Sequence, residues 1–129
     1  MRNITKAVSG FALAIVVLLS ANLKISAQNK GAEKEKYKVT FVELGSLKCI
    51  PCQKMQTVMK AIEEKYGKDV KIEFHDVWTP EGKSFAEKYK INLIPTQVFL
   101  DRDGKEFFRH EGYFSEEEVV KVLKKKGVK

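Results

Sequence analysis

The sequence predicts an α/β domain with a mixed four-stranded sheet and helices on both faces of that sheet. Segments rich in β-forming residues alternate with segments whose apolar residues recur at helical spacing, in the order β-α-β-α-β-β-α. The first two strands flank a helix and should therefore be parallel, whereas a short hairpin makes the last two antiparallel. The 129 residues leave room for one such domain.

The first strand and the first helix meet at the two cysteines of the chain. Lys38 to Leu44 is rich in β-forming residues and is followed by Gly45 and Ser46. After Cys52, apolar residues recur at helical spacing until Gly67 ends the pattern. These apolar residues are Met55, Val58, Met59, Ile62 and Tyr66.

The second strand is predicted over Val70 to Val77. The five residues from Trp78 to Gly82 should form a turn, and Ser84 to Tyr89 a short helix. A third strand is predicted over Thr96 to Leu100, directly after Pro95.

Asp103-Gly104 predicts a two-residue hairpin that leads into a fourth strand, Glu106 to Glu111. Ser115 and Glu118 have the spacing of a capping box, which opens the last helix. That helix carries the apolar residues Val119, Val120, Val122 and Leu123.

The N-terminal segment, residues 1–27, has the pattern of a secretory signal peptide. Arg2 and Lys6 precede an apolar run from Phe11 to Leu19, and Ile25-Ser26-Ala27 is a small-residue cleavage site. An uncleaved membrane anchor is the alternative, because the flanking residues extend the run towards the ~20 residues that a span needs. Either outcome predicts a protein exported to the periplasm or to the extracytoplasmic face of the membrane.

Residues 28–36 are polar and predict a tether, which leaves residues 37–129 as the folded domain. The chain has a formal net charge of +7, but its lysines alternate with glutamates. No basic stripe is interleaved with aromatic residues, so we expect no nucleic-acid partner.

Cys49-Ile50-Pro51-Cys52 is the motif that carries chemistry. At the N-terminus of a helix, the helix dipole and free amides stabilise a thiolate, and Lys48 adds a positive charge. We expect Cys49 to attack and Cys52, one turn further on, to resolve the mixed disulfide. Pro51 suits the first helical turn because its missing N–H would have no partner there.

Two thiolates can also bind metal. A zinc site needs two further ligands, whereas the chain has no other cysteine, and His75 and His110 lack paired spacing. We therefore expect no resident metal and, without a Gly-rich phosphate loop, no bound organic cofactor. Copper binding or delivery by Cys49 and Cys52 remains an alternative.

Three segments together resemble thioredoxin in order and spacing: Val39 to Cys52, Phe85 to Thr96, and the later Asp-x-Asp-Gly hairpin. The resemblance begins at about Tyr37 and implies a thioredoxin-like fold with a redox-active disulfide. The chain departs from the thioredoxin motif Trp-Cys-Gly-Pro-Cys at Lys48 and Ile50, and lacks the extra N-terminal strand and helix.

The resemblance implies that Pro95 carries a cis peptide bond against the redox pair, with the backbone of Ile94 and Thr96 lining a substrate groove. An ordinary trans proline at an edge strand is the alternative. Ile50 and Pro51 would belong to the same groove. Trp78 would form an aromatic wall, although a packing role suits a tryptophan equally well.

Glu43 lies six residues before Cys49, where thioredoxin has a buried aspartate, and the resemblance implies proton transfer with Cys52. Burial within an apolar strand would raise the pKa of this carboxyl. The alternative is a glutamate near the strand end that reaches solvent.

These expectations describe a thiol-disulfide oxidoreductase that reduces protein disulfides outside the cytoplasm. By resemblance, a membrane protein would supply its electrons as thiols. An oxidant or isomerase with the same site is the rival direction, and the copper-binding module is the rival class.

Overall fold

The computed structural model describes residues 36–129. The predicted signal peptide or anchor and residues 28–35 of the predicted tether lie outside the described residues. The elements follow the predicted order, β1 (Val39–Gly45), α1 (Ile50–Tyr66), β2 (Val70–Asp76), α2 (Pro80–Tyr89), β3 (Thr96–Asp101), β4 (Glu106–Glu111) and α3 (Glu116–Lys124). Within the described part of the chain, no helix is both long and apolar enough to cross a membrane.

The four strands form one mixed sheet in the order β2-β1-β3-β4. β1 is parallel to β2 and antiparallel to β3, and β3 is antiparallel to β4. The predicted mixed sheet is therefore confirmed, with β1 and β3 in its centre.

Alternating side chains of β1 supply two cores on opposite faces of the sheet. Val39 and Phe41 pack in the larger core, together with the apolar faces of α1 and α3. Val42 and Leu44 point to the other face, where Phe85 of α2 packs. Because side chains alternate along a strand, β1 can bind helices on both faces, as predicted.

The helix α2 begins at Pro80, earlier than the predicted start at Ser84. Thr79 is its N-cap, and the Thr79 hydroxyl accepts a hydrogen bond from Gly82 N–H at 3.0 Å. Pro80 occupies the first turn, where its missing N–H costs nothing. The predicted turn over residues 78–82 is therefore confirmed only at Trp78 and Thr79, which precede the helix. Gly82 lies inside the helix and serves close packing, since a Cβ there would lie 1.8 Å from the Asp76 carbonyl oxygen.

The hairpin between β3 and β4 has three loop residues instead of the predicted two. Asp101 N–H donates to the Lys105 carbonyl at 2.8 Å, which leaves residues 102–104 as the loop. Gly104 has a φ of 74°, the left-handed conformation that three-residue hairpins require at this position. The Asp101 carboxylate fixes the loop by accepting from the N–H groups of Asp103 and Lys105.

The capping box of α3 is confirmed. Ser115 Oγ accepts a hydrogen bond from Glu118 N–H, and the Glu118 carboxylate accepts one from Ser115 N–H. The lysine side chain of Lys65 in α1 also pairs with Glu116 at the start of α3.

Candidate redox site

Cys49 and Cys52 form a disulfide across the N-terminal boundary of α1. Cys49 is the N-cap, with an extended backbone (φ −97°, ψ 121°), whereas Cys52 lies within the first turn. Cys49 is half-buried and Cys52 is fully buried. Of the two sulfurs, only that of Cys49 is therefore accessible for thiol-disulfide exchange with another protein.

Glu43 lies in the central strand β1 and is fully buried. Neither of its carboxylate oxygens has a hydrogen-bond partner within residues 36–129. Burial raises the pKa of Glu43 to about 8, and the side chain of Gln97 partly opposes this rise. The alternative of a solvent-exposed glutamate is excluded by this burial.

Gly45 separates Glu43 from Cys52. A Cβ at Gly45 would lie 3.2 Å from both Cβ and Sγ of Cys52 and 3.6 Å from Oε1 of Glu43. The missing side chain therefore leaves the space in which the carboxyl and the buried sulfur approach each other. A proton acceptor with a pKa near neutrality is useful for acid–base catalysis at neutral pH.

The peptide bond between Ile94 and Pro95 is cis. Pro95 directly precedes β3, and Thr96 pairs in register with Leu44 near the end of β1 that leads to the cysteines. The Pro95 carbonyl accepts from Gly112 N–H at 2.8 Å. The buried Thr96 hydroxyl donates a hydrogen bond to the Leu93 carbonyl. Only the backbone of Thr96 is therefore available to line a substrate groove.

Exposed apolar side chains form a rim at the edge of the sheet that carries the disulfide. Exposed large apolar side chains of the described residues, with exposed fractions between 46% and 65%, are Leu47, Ile50, Trp78, Leu93 and Tyr113. All five follow β1 or β2, precede β3 or follow β4. The strand directions bring these loops to one edge of the sheet, the edge that carries the cysteines.

Ile50 and Trp78 of this apolar rim were predicted from the sequence as groove residues, and both are exposed. The Pro51 ring is exposed beside them, whereas Ile94 is half-buried. Leu47, Leu93 and Tyr113 were not predicted. In the sequence, each of them is only an apolar residue within a predicted loop. Such residues more often pack inward than face solvent, so nothing indicated that these three are exposed.

Asp76, at the end of β2, was also missed by sequence analysis. Its carboxylate accepts hydrogen bonds from Leu47 N–H at 3.1 Å and from Trp78 N–H at 3.0 Å. The Leu47 N–H is the largest influence that lowers the pKa of Asp76 below its ordinary value. Asp76 thus fixes the backbone of two loops that carry the apolar rim.

The histidines take no part in a multi-ligand group. Within residues 36–129, no three or more His, Cys, Asp or Glu side chains are grouped to hold a metal ion. His75 instead stacks on Phe85, and His110 stacks on Phe114.

Comparison with known proteins agrees with this geometry. The sequence profile of the thioredoxin-like domain matches residues 25–127. The chain belongs to the thioredoxin-like family. This confirms the resemblance seen in the sequence and the fold predicted from it.

Two plant proteins are similar to this thioredoxin-like chain. Thioredoxin Y, chloroplastic, of Oryza sativa subsp. japonica is 28% identical over 86 residues, which cover 67% of this chain and 49% of that protein. Thioredoxin Y1, chloroplastic, of Arabidopsis thaliana is 31% identical over 86 residues, covering 67% and 48%. The chain thus spans about half the length of these curated relatives.

Solved structures share the fold of this thioredoxin-like chain. Thioredoxin-2 of the malaria parasite, described as a component of protein secretion machinery, superimposes with a TM-score of 0.61 at 24% identity, covering 68% of this chain and 82% of that one. The exposed lipoprotein thioredoxin of Streptococcus pneumoniae gives a TM-score of 0.61 at 20% identity, covering 70% and 86%. At these identities the likeness concerns the fold alone.

Proposed function

We propose that this protein is a thiol-disulfide oxidoreductase that reduces disulfides of other proteins through Cys49 and Cys52. One observation carries the proposal: an accessible cysteine forms a disulfide with a buried one that lies beside a buried carboxyl. A structural disulfide in so short a loop would add little stability, because stabilisation grows with the length of chain enclosed.

The reaction begins with the dithiol form. The Cys49 thiolate attacks one sulfur of the substrate disulfide, the substrate S–S bond breaks, and the departing sulfur takes a proton from water. A bond between Cys49 and the other substrate sulfur results. The N-terminus of α1 favours the attacking thiolate through its dipole and its free N–H groups.

The second step releases the substrate. The Cys52 thiol transfers its proton to the Glu43 carboxylate, and the Cys52 thiolate attacks Sγ of Cys49. The Cys49–Cys52 bond forms as the bond to the substrate breaks, and the second substrate sulfur leaves as a thiolate that is then protonated. The substrate gains two electrons, which the cysteine pair loses.

The apolar rim favours an unfolded or extended protein segment as the substrate. Exposed apolar surface of this kind is typical of protein-binding sites. The backbone around Pro95 lies next to β1 and the redox end of the sheet, which suits hydrogen bonding to an extended chain. Substrate selection then depends on the apolar rim, since Ile50 and Lys48 replace the usual thioredoxin residues.

We further propose that reduction takes place outside the cytoplasm, in the periplasm or on the extracytoplasmic face of the membrane. The signal-peptide pattern of residues 1–27 supports export. The fold also occurs in an exposed lipoprotein of Streptococcus pneumoniae. Each cycle leaves the pair oxidised, so a reductant is required, and we propose that a membrane protein delivers these electrons as thiols.

The test is the reduction potential of the cysteine pair in the full-length protein, measured by trapping free thiols in graded thiol-disulfide buffers. A value near that of thioredoxin, about −270 mV, supports a reductase. A value near about −120 mV, that of a strong disulfide oxidant, reverses the proposed direction. Cys49→Ser should abolish turnover of a protein disulfide, and a wild-type pair that does not cycle contradicts the proposal.

A further inference from the structure

Gln97 is a buried polar residue on the strand next to Glu43, and it has no role in the proposed mechanism. It lies in β3 directly opposite Glu43 of β1, and both residues are fully buried. Phe41 and Phe99, two residues away from each, pack in the core against α1. Since side chains alternate along a strand, Glu43 and Gln97 point to that same face.

The amide of Gln97 has a fixed orientation. Its Nε2 donates to the Gly112 carbonyl at 3.1 Å. Exchanging the amide oxygen and nitrogen would place two acceptors against each other, so this contact determines which end is which. Gly112 N–H in turn donates to the Pro95 carbonyl, which connects the amide to the cis proline.

Three of the buried polar atoms that lack a hydrogen-bond partner in the described part of the chain are both oxygens of Glu43 and Oε1 of Gln97. They belong to directly opposed residues, whose Cβ atoms are about 5 Å apart in such pairs. A buried polar group without a partner costs about 1–3 kcal/mol, so a hydrogen bond between the two side chains would lower the free energy of the folded state.

An amide is able to serve both protonation states of a carboxyl. A neutral carboxyl donates its O–H to Oε1 of the amide, whereas a carboxylate accepts the second hydrogen of Nε2. Loss of the amide would penalise the charged form more, because an unpartnered buried charge costs more than an unpartnered neutral group. The direction agrees with the lowering effect of Gln97 on the pKa of Glu43.

We propose that Gln97 is a positioning residue of the redox site, whose amide holds the Glu43 carboxyl beside Cys52 and keeps its ionised form accessible at neutral pH. This inference rests on the proposed function for its catalytic meaning. The proposed contact does not depend on catalysis, so its absence would be distinguishable from failure of the proposed function.

The other groups that face this pair are few. From α1, Cys52 is in the disulfide and does not titrate in this form. From β4, His110 is opposite Gln97 in the register, and Glu118 of α3 interacts electrostatically with His110. Gln97 lies between Glu43 and His110 in the sheet, so the Gln97 amide is the polar group directly across from Glu43.

The experiment is a titration of the Glu43 carboxyl by carbon NMR in the oxidised full-length protein, for wild type and Gln97→Met. Methionine keeps the length of the side chain without its amide. The midpoint should rise by about one to two pH units, as expected for the loss of a hydrogen bond to a charged group. An unchanged or lower midpoint overturns the proposal.

Gln56→Met is the matched control. Gln56 is partly buried and its Nε2 has no hydrogen-bond partner among the described residues. It lies one helical turn from Cys52, but Gln97, and not Gln56, lowers the pKa of Glu43. This variant should leave the midpoint in place. An equal rise in both variants would mean that general loss of polarity, and not the Gln97 contact, sets the midpoint, which overturns the proposal.

A measurement on the wild type remains decisive if Gln97→Met does not fold. The side-chain nitrogen resonance of Gln97 should shift with the same midpoint as the Glu43 carboxyl, and independence of the two titrations overturns the proposal. Activity of the wild type separates the two hypotheses. If the Glu43 midpoint rises in Gln97→Met but the wild type cannot exchange thiols, the contact is supported and the proposed function is contradicted. If the wild type is active but the midpoint does not rise in Gln97→Met, the proposed function is supported and the contact is contradicted.

Discussion

The Asp76 carboxylate accepts a hydrogen bond from Leu47 N–H at 3.1 Å, which joins the end of β2 to the loop before Cys49. Ser46 Oγ donates to the same oxygen at 3.4 Å, and Trp78 N–H donates to the other oxygen at 3.0 Å. A single carboxylate thus orders the chain on two sides of the disulfide. Its role is structural and does not require contact with substrate.

Asp76→Ala should free both loops together. We expect hydrogen exchange at the Leu47 and Trp78 amides to accelerate on the order of tenfold, the factor that corresponds to one hydrogen bond of typical strength. Turnover of a protein disulfide should fall more than turnover of a small disulfide, which does not need the apolar rim. Asp103→Ala, in the hairpin at the opposite end of the sheet, is the matched control and should change neither quantity.

The same carboxylate predicts an effect of acid. The pKa of Asp76 is lowered in the folded protein, so its contribution to stability is present above its ordinary value of 3.8. The contribution is lost as the pH falls through the lowered value. Acidification should therefore lower the protection of the Leu47 and Trp78 amides in the wild type, measured as the exchange rate relative to the intrinsic rate at the same pH. No such loss of protection should be seen in Asp76→Ala.

Glu43→Gln should change how stability depends on pH. The ordinary pKa of Glu43 is 4.5 and the folded value is about 8, so the folded protein keeps a proton that the unfolded chain has released. Wild-type stability should fall as the pH rises between these values, by an upper limit of roughly 5 kcal/mol at about 1.36 kcal/mol per unit. Glu43→Gln removes this slope.

Chemical denaturation at about pH 5 and about pH 9 measures the slope. The two proteins should be similar in stability at the lower pH, and the variant should be more stable at the higher one. Equal stability of wild type and variant at both values would show that Glu43 is not buried as described.

Gly45→Ala should destabilise the disulfide form. A new Cβ would meet Cys52 Cβ and Sγ at 3.2 Å, and such overpacking typically costs about 1–3 kcal/mol. The alanine also restricts the unfolded chain, which stabilises the folded state by only about 0.4–1 kcal/mol. The steric cost should therefore exceed this gain. Denaturation of the oxidised variant tests this, and unchanged or increased stability would mean that the space beside Cys52 adapts without cost.

Trp78→Ala should weaken binding of protein substrates without weakening the fold. Its side chain is 61% exposed, so stability should change by no more than about 0.5 kcal/mol. KM for a protein disulfide should rise several-fold, on the order expected for loss of an aromatic contact at an interface, while turnover of a small disulfide is retained. Lys105→Ala, outside the apolar rim, is the control, and an equal rise in KM there would contradict the role of Trp78.

The periodicity of the sequence predicted the strands, the helices and their order, because burial on one side of each element leaves a visible pattern. The redox pair was equally visible, since two cysteines three residues apart at a strand-to-helix junction need no long-range information. Glu43 was predicted by position, but its full burial depends on Gly45, Cys52 and Gln97, which meet only in the folded chain.

Other parts of the site depended on tertiary contacts that the sequence does not display. The start of α2 was misplaced because Gly82 resembles a turn residue, whereas it is required by the close approach of Asp76. Leu93 and Tyr113 are 20 residues apart in the sequence and join one rim only through the antiparallel pairing of β3 and β4. Gln97 resembled an ordinary strand residue until its register with Glu43 was known.

The apolar rim is built from loop residues and from Ile50 at the first position of α1, while the cores beneath it are formed mainly by strands and helices. Changes in those loops therefore leave most of the folding energy untouched. A protein engineer is able to exchange Leu47, Ile50, Trp78, Leu93 and Tyr113 as a set to redirect the protein towards a new client. The electron-transfer chemistry would stay with the scaffold, so client choice and redox capacity are separately adjustable properties of this molecule.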